Sequence, residues 1–382
     1  MKLFVVVGEP SGDALGGALL EALGTLRPDL RAEGVAGPIM QSAGATTLFP
    51  MEELSVMGLT EVLPRYPALR RRMIQTADAA IASNADALVT VDSPDFSLRV
   101  AARVKAARPA MPVIHYVAPS VWAWRAGRAA KMARHVDHVL ALLPFEPPLM
   151  REAGMTCDFV GHPAAAEPRA TAEEVALFRR VNGIEGGALL ILPGSRRSEI
   201  ARMSETFGIA AALLLRARPD LSPLVPVAPG RMSEVREAAG FWPFRPILAD
   251  TSDPETRRAA FGVAAAAFAA SGTVSLDLAR EGVPMVVGYA LNPLTQMILK
   301  RMIRTDTFTL VNLVSGTRAV PEFIGPGFRS APMAAGLARV LSDPEPQRLA
   351  MRSTMERLGA GGERPGLRAA RSVLAAIERL SA

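Results

Sequence analysis

The chain has 382 residues, 49% hydrophobic and 21% charged, with a net charge of +6 from 43 basic and 37 acidic side chains. That is ordinary globular usage and enough length for two or three domains, so disordered and fibrous architectures are excluded. The modest charge excess permits an anionic partner but does not demand nucleic acid, and none is expected. The single cysteine, Cys157, excludes an internal disulfide framework and a cysteine-cluster metal site, and fits a reducing cytoplasm.

Residues 1–7 carry one lysine and an apolar run too short for a signal-peptide core, so they read as a buried first strand. Short apolar runs then alternate with longer amphipathic ones. Strands are predicted at 3–7, 32–35, 87–91, 113–117, 138–142 and 158–160, with helices such as 14–26, 65–83 and 96–107 between them. Solidly apolar strands joined by helices predict a parallel, doubly wound α/β sheet. The Pro-rich segment 162–168 has neither period and reads as a linker. The alternation restarts with strands at 188–192, 224–227, 246–249, 263–268 and 285–288, separated by helices near 199–216, 274–280 and 294–303. A helical tail follows at 333–341, 346–358 and 367–380. The expected organisation is a first Rossmann-like domain over 1–165, a second over 166–345, and a tail over 346–382 that packs on the first domain or exchanges in a dimer. The longest uncharged stretch, 259–276, is mostly alanine with Gly and Ser inside. It is not read as a membrane span, so a soluble or membrane-surface protein is expected.

In open parallel sheets, ligands bind beyond the carboxyl ends of strands, and two such sheets in tandem predict a cleft between domains. The loop after strand one contains Glu9, Ser11, Gly12 and Asp13. It reads either as a turn whose helix is capped by Ser11 or Asp13, or as a loop holding a polar ligand. The spacing of a dinucleotide fingerprint is absent. The strand at 87–91 ends in Asp92-Ser93-Pro94-Asp95. Asp95 stands where it caps the next helix, whereas Asp92 is a strand-end carboxylate suited to a general base. The run from His115 to Arg125 gathers a tyrosine and two tryptophans, Trp122 among them. Its aromatic faces suit a sugar or base and Arg125 an anion, or the rings pack a core corner. His115 reads as a core histidine or as a second candidate base.

In the second half, Gly194-Ser195-Arg196 lies between a strand and a helix start, which suits phosphate. Ser271-Gly272-Thr273 repeats that arrangement, with Asp277 one turn further on where a carboxylate meets ribose hydroxyls. Taken singly these loops are plain caps; together they describe a nucleotide site. The four histidines lack paired ligand spacing, so no metal is expected, and the Gly-x-Ser-x-Gly elbow is absent. Leu63, Tyr66, Leu69 and Met73 mix with Arg70, Arg71 and Arg72. This is an amphipathic helix with a solvated arginine face, or a membrane-surface patch.

These motifs resemble one family, the lipid-A-disaccharide synthases, glycosyltransferases of the two-Rossmann-domain (GT-B) type. The matching runs are 8–13, 35–38, 51–58, 92–96, 115–125, 143–146, 159–162, 192–196, 271–273, 284–289 and 311–313. The Met-Glu-Glu-Leu run at 51–54 and the Trp-Ala-Trp run at 122–124 are the most specific. The resemblance implies transfer of 2,3-diacylglucosamine from its UDP conjugate to 2,3-diacylglucosamine 1-phosphate. The products are a β-1,6 disaccharide, formed with inversion, and UDP; no metal or other cofactor is implied. It carries over Asp92 as the base, and Arg196, Ser271, Thr273 and Asn312 as donor-site residues. It also implies a cytoplasmic enzyme, peripheral on the anionic inner membrane and commonly dimeric through exchanged C-terminal segments. Two positions depart from the pattern: Asp277 stands where Glu is usual, and Pro10 where Thr is common. The rival readings are a UDP-GlcNAc 2-epimerase or a transferase acting on a different lipid-linked sugar, and a non-catalytic nucleotide-sugar sensor; turnover with a lipid acceptor separates them.

Overall fold

The apolar runs become buried strands in the computed structural model, which describes residues 1–54, 59–119, 127–291 and 306–381. The chain divides into two compact units, Met1–Ala166 with Gly361–Ala382, and Glu167–Ala360. Trp122, Arg125, the predicted helix at 294–303 and part of the run at 51–58 lie outside the described residues.

The first unit is built on β1 (Lys2–Val7), β2 (Arg31–Val35), β3 (Ala45–Thr47), β4 (Ala87–Val91), β5 (Val113–Tyr116), β6 (His138–Ala141) and β7 (Thr156–Phe159). Their order is β3-β2-β1-β4-β5-β6-β7, all parallel. The chain moves outward from β1 to β3, then returns to the other side of β1 at β4, so the winding reverses between β1 and β4. Both sheet faces are covered. Leu15, Leu19, Leu20 and Leu23 of helix Pro10–Leu26 pack on one face, with Ala369, Ala370, Val373 and Ala376 of the last helix, Pro365–Ser381. Val100, Ala101 and Val104 of helix Pro94–Ala107 pack on the other. Burial on both sides is why Leu3 to Val7 carry no polar residue.

The second unit repeats the plan with β8 (Ala188–Leu192), β9 (Ser222–Val227), β10 (Ile247–Asp250), β11 (Ala264–Ala270), β12 (Met285–Tyr289) and β13 (Glu322–Ile324). The order is β10-β9-β8-β11-β12-β13, again parallel, and the winding reverses between β8 and β11. The alanine-rich stretch at 259–276 supplies β11, a central strand. No described helix is long and apolar enough to cross a membrane.

Three differences from the sequence reading have simple causes. The linker segment folds partly into helix Pro163–Ala166, and the units part at Glu167. The segment read as one tail from 346 divides at Gly361. Helix Glu345–Arg357 stays with the second unit because the buried Gln347 side chain bonds Met285 N and O and Ala319 O, whereas Pro365–Ser381 packs in the first. The short strands β3 and β13 have three residues each, too few to show a period.

Candidate active site

Crevices at winding reversals are where doubly wound sheets bind ligands. In the first unit that point is flanked by Gly8–Asp13 after β1 and Asp92–Asp95 after β4. The two loops meet: Ser11 Oγ donates to Asp92 Oδ2 at 3.4 Å. Gly12 is needed for this approach, since a Cβ there would stand 2.6 Å from Val7 Cγ2 and 3.3 Å from the Val91 carbonyl oxygen. Asp92 is half-buried, and its N–H donates to the Tyr116 carbonyl at 2.9 Å, which ties it to β5.

The carboxyl ends of β4 and β5 hold three non-glycine residues in left-handed backbone: Asp92 (φ 51°), Ser93 (φ 46°) and Val117 (φ 84°). A β-branched residue with positive φ is rare, and such strain is usually held in place by the surrounding structure at functional positions.

Other candidates from the first unit have structural partners. Asp13 is buried and accepts from Ile39 N at 2.9 Å and Met40 N at 3.0 Å. It caps helix Pro38–Ser42, not the helix it sits in. Glu9 occupies the N-cap position of helix Pro10–Leu26 without a side-chain cap bond, and Ser11 is exposed in its first turn. His115 is 1% exposed, with Nδ1 2.7 Å from the Oγ1 of Thr90, its partner across β4 and β5. Burial lowers its pKa to about 4, so it is a neutral core imidazole.

In the second unit the carboxyl ends of β8 to β11 enclose a pocket of about 420 Å³, within the ~300–1,000 Å³ range of small-molecule sites. It brings together Gly194, Ser195, Arg196, Ser271, Gly272, Thr273 and Asp277, seven of the eight donor-site candidates. Gly194 (φ 120°) and Gly272 (φ 151°) hold backbone conformations that side chains disfavour. Thr273 stands at the N-cap of helix Val274–Glu281 with no side-chain cap bond, which leaves its hydroxyl beside a helix N-terminus.

Asp277 is buried, and both its oxygens are engaged. Arg257 Nη2 donates to Oδ2 at 2.6 Å and Arg280 Nη1 to Oδ1 at 3.4 Å. Burial raises its pKa and the two guanidiniums oppose that rise. Arg280 Nη1 also reaches Glu167 Oε2 at 2.7 Å. Asn312, the eighth candidate, does not line the pocket. It is buried, with Nδ2 on the Val320 carbonyl at 2.8 Å and Oδ1 taking Val320 N at 2.9 Å. Its amide closes the turn before β13. Among the described residues no group of three or more His, Cys, Asp or Glu side chains is arranged for a metal ion.

The family model described as lipid-A-disaccharide synthetase matches residues 3–375. The chain belongs to the lipid-A-disaccharide synthetase family. A relative from Ruegeria pomeroyi, a lipid-A-disaccharide synthase, is 54% identical over 381 residues, covering 98% of this chain and 95% of its own. One from Rhodospirillum centenum with the same name is 42% identical over 385 residues, covering 99% and 95%. A UDP-GlcNAc 2-epimerase from Neisseria meningitidis, solved with UDP-GlcNAc, superposes with a TM-score of 0.66 at 11% identity, covering 99% of this chain and all of its own. That likeness shows the fold alone: two Rossmann-like domains of the GT-B type. As a member of the synthetase family the chain is a glycosyltransferase.

Helix Leu59–Ala82 begins six residues earlier than the sequence suggests. Tyr66, Arg70 and Arg71 are exposed on it. Leu69 and Met73 are half-buried and pack inward. Arg72 is committed to a bidentate pair with Glu53 at 2.8 and 2.7 Å and lies 4.4 Å over the Phe49 ring. The side chain of Leu63 lies outside the described residues. Sequence reasoning missed Thr251, Arg257 and Phe261 of the pocket, which no local motif marks, and Glu199, whose only signal was its place three residues after Arg196 at a helix start.

Proposed function

We propose that the chain transfers 2,3-diacylglucosamine from its UDP conjugate to 2,3-diacylglucosamine 1-phosphate, forming the β-1,6 lipid A disaccharide and UDP. Family membership over residues 3–375 carries this reading. The second unit receives UDP in the pocket of Arg196, Ser271, Gly272 and Thr273, where the start of helix Val274–Glu281 suits a diphosphate. Asp277 stands near the ribose position, held there by Arg257 and Arg280. The first unit supplies the base. The acceptor 6-hydroxyl attacks the anomeric carbon from the face opposite UDP and its proton passes to Asp92. The bond between the anomeric carbon and the diphosphate oxygen breaks, and UDP leaves with that electron pair. Asp92 is favoured over His115 because it is half-buried at a strand end whereas His115 is enclosed. Trp122 and Arg125 are proposed to line the acceptor side with Glu9 and Ser11.

The enzyme is further proposed to work as a peripheral protein on an anionic inner-membrane surface, with Tyr66, Arg70 and Arg71 facing lipid, and to dimerise. The deciding experiment is UDP release from the UDP-acylsugar with and without the acyl acceptor phosphate. Release that depends on acceptor and yields disaccharide supports the reading. Binding without turnover supports a sensor, and 2-epimerised sugar an epimerase.

A further inference from the structure

By sequence the turn after β8 suits phosphate, but two of its amide donors are already engaged by a side chain of this chain. Glu199 Oε2 accepts the N–H of Ser195 at 3.2 Å and of Arg196 at 3.3 Å. Oε1 takes Arg196 Nη1 at 3.2 Å and the Tyr289 hydroxyl, from the end of β12, at 3.3 Å. The carboxylate lies where a side chain on residue 194 would be: a Cβ on Gly194 would stand 2.6 Å from Oε2. Glu199 lines the pocket, with 14% of its side chain exposed. The contrast with the opposite wall is sharp. No described residue accepts from the hydroxyls of Ser271 or Thr273, and helix Val274–Glu281 has no side-chain cap.

We infer that Glu199 is a positioning residue for the donor site. Its carboxylate closes the Gly194–Arg196 turn and holds the guanidinium of Arg196, a side chain 61% exposed, at the pocket. The turn therefore contributes one oriented guanidinium, and the diphosphate is received by the Ser271–Thr273 helix start. Two further observations fit this division. A diphosphate on the Ser195 and Arg196 amides would have to displace a carboxylate held by four donors. A diphosphate on the Ser271 and Thr273 hydroxyls displaces no side chain of the described residues, and meets a helix dipole of the right sign. Tyr289 serves as the brace: its hydroxyl fixes Oε1, and burial and the adjacent carboxylate both raise its pKa, keeping it a donor.

This inference rests on the proposed donor site, and a double-mutant cycle separates the two. UDP affinity is measured by calorimetry for the wild type, Glu199→Gln, Arg196→Ala and the double variant, with KM and kcat for the UDP-acylsugar and Tm for each. Gln keeps an oxygen for the amides but turns an NH2 group toward Arg196. Glu199→Gln is expected to weaken UDP binding and raise KM about tenfold, the scale of one charge-assisted contact. The change in kcat should stay within about threefold. In the Arg196→Ala background it should cost nothing more, because Glu199 acts through Arg196. Tyr289→Phe should weaken UDP about twofold and lose that effect in the same background, which carries the test should Glu199→Gln fail to fold. Tighter UDP binding in Glu199→Gln would show a carboxylate that competes with the diphosphate, and losses that add in the double variant would show an independent role. Either result overturns the inference while leaving the donor site in place. Unchanged UDP affinity in Arg196→Ala overturns both.

Discussion

Single residues carry the chemistry, and their surroundings separate the two candidate bases. Asp92 is left partly open by a left-handed turn, and among the described residues its side chain takes a 3.4 Å bond from Ser11. Asp92→Asn keeps the shape but accepts no proton, so kcat should fall ~10²–10⁴-fold with UDP affinity little changed. Near-normal turnover in that variant, with collapse in His115→Ala, would transfer the role to His115. Burial gives His115 a different consequence. Its folded pKa, about 4, lies below the unfolded value of 6.5, so the folded state favours the neutral ring. The associated stability is present in full above pH 6.5 and is lost as pH falls toward 4. At about 1.4 kcal/mol per pH unit the loss is on the order of 3 kcal/mol. Denaturant titrations across that window should show a steeper decline for the wild type than for His115→Gln; parallel curves would mean that the ring is hydrated in solution.

Elements are joined by contacts that no single segment contains. The last helix, Pro365–Ser381, is fastened to the sheet of the first unit by a buried polar clasp. His138 Nδ1 lies 2.8 Å from Thr156 Oγ1, its Nε2 lies 2.8 Å from Ser372 Oγ, and Ser372 donates to Asp158 Oδ2 at 2.7 Å. Thr156 gives its own proton to the Asp137 carbonyl at 3.0 Å, so His138 Nδ1–H donates to Thr156 Oγ1. Arg368 adds a bond from Nη2 to the Phe159 carbonyl at 2.7 Å. Ser372→Ala leaves Nε2 buried without its partner, which should cost about 1–3 kcal/mol. Hydrogen exchange should locate the loss in the last helix before any other element. A uniform loss over the whole first unit would mean that the helix and sheet open as one.

At the scale of the whole molecule, the question is how a chain with no membrane-spanning helix among its described residues meets an acylated substrate. In the proposed membrane contact, the net charge of +6 favours an anionic surface and the exposed residues of helix Leu59–Ala82 are the ones offered to it. Arg70 and Arg71 point outward beside Tyr66, while Arg72 is spent on Glu53. Each outward arginine near an anionic bilayer is worth about 1 kcal/mol, and the attraction is screened by salt. The wild type should float with anionic vesicles at low salt and be released at high salt. Arg70→Glu with Arg71→Glu should abolish flotation and leave Tm unchanged. Arg72→Glu should instead lower Tm, since it sets two carboxylates together beside Phe49. Flotation that survives the double change would make this face an ordinary solvated one.

The doubly wound plan of both halves was legible in the sequence because parallel strands covered on two faces are apolar almost throughout, and runs such as 3–7 and 188–192 are wholly so. Strand ends were legible with them, and so were the loops where such sheets bind ligands: Gly8–Asp13, Asp92, Gly194–Arg196 and Ser271–Thr273. Tertiary structure alone decided what each polar side chain in or near those loops bonds. Asp13 looked like a cap for its own helix, yet its partners are amides 26 and 27 residues further on. Asp277 is met by Arg257, Asn312 is turned inward onto Val320, and Glu199 fills the turn that looked empty. The last helix returns to the first unit rather than staying with its neighbour in sequence. Periodicity reports which face of an element is buried. It carries no information about which distant donor a carboxylate or amide finds once that face is covered, because that choice is made by packing across hundreds of residues.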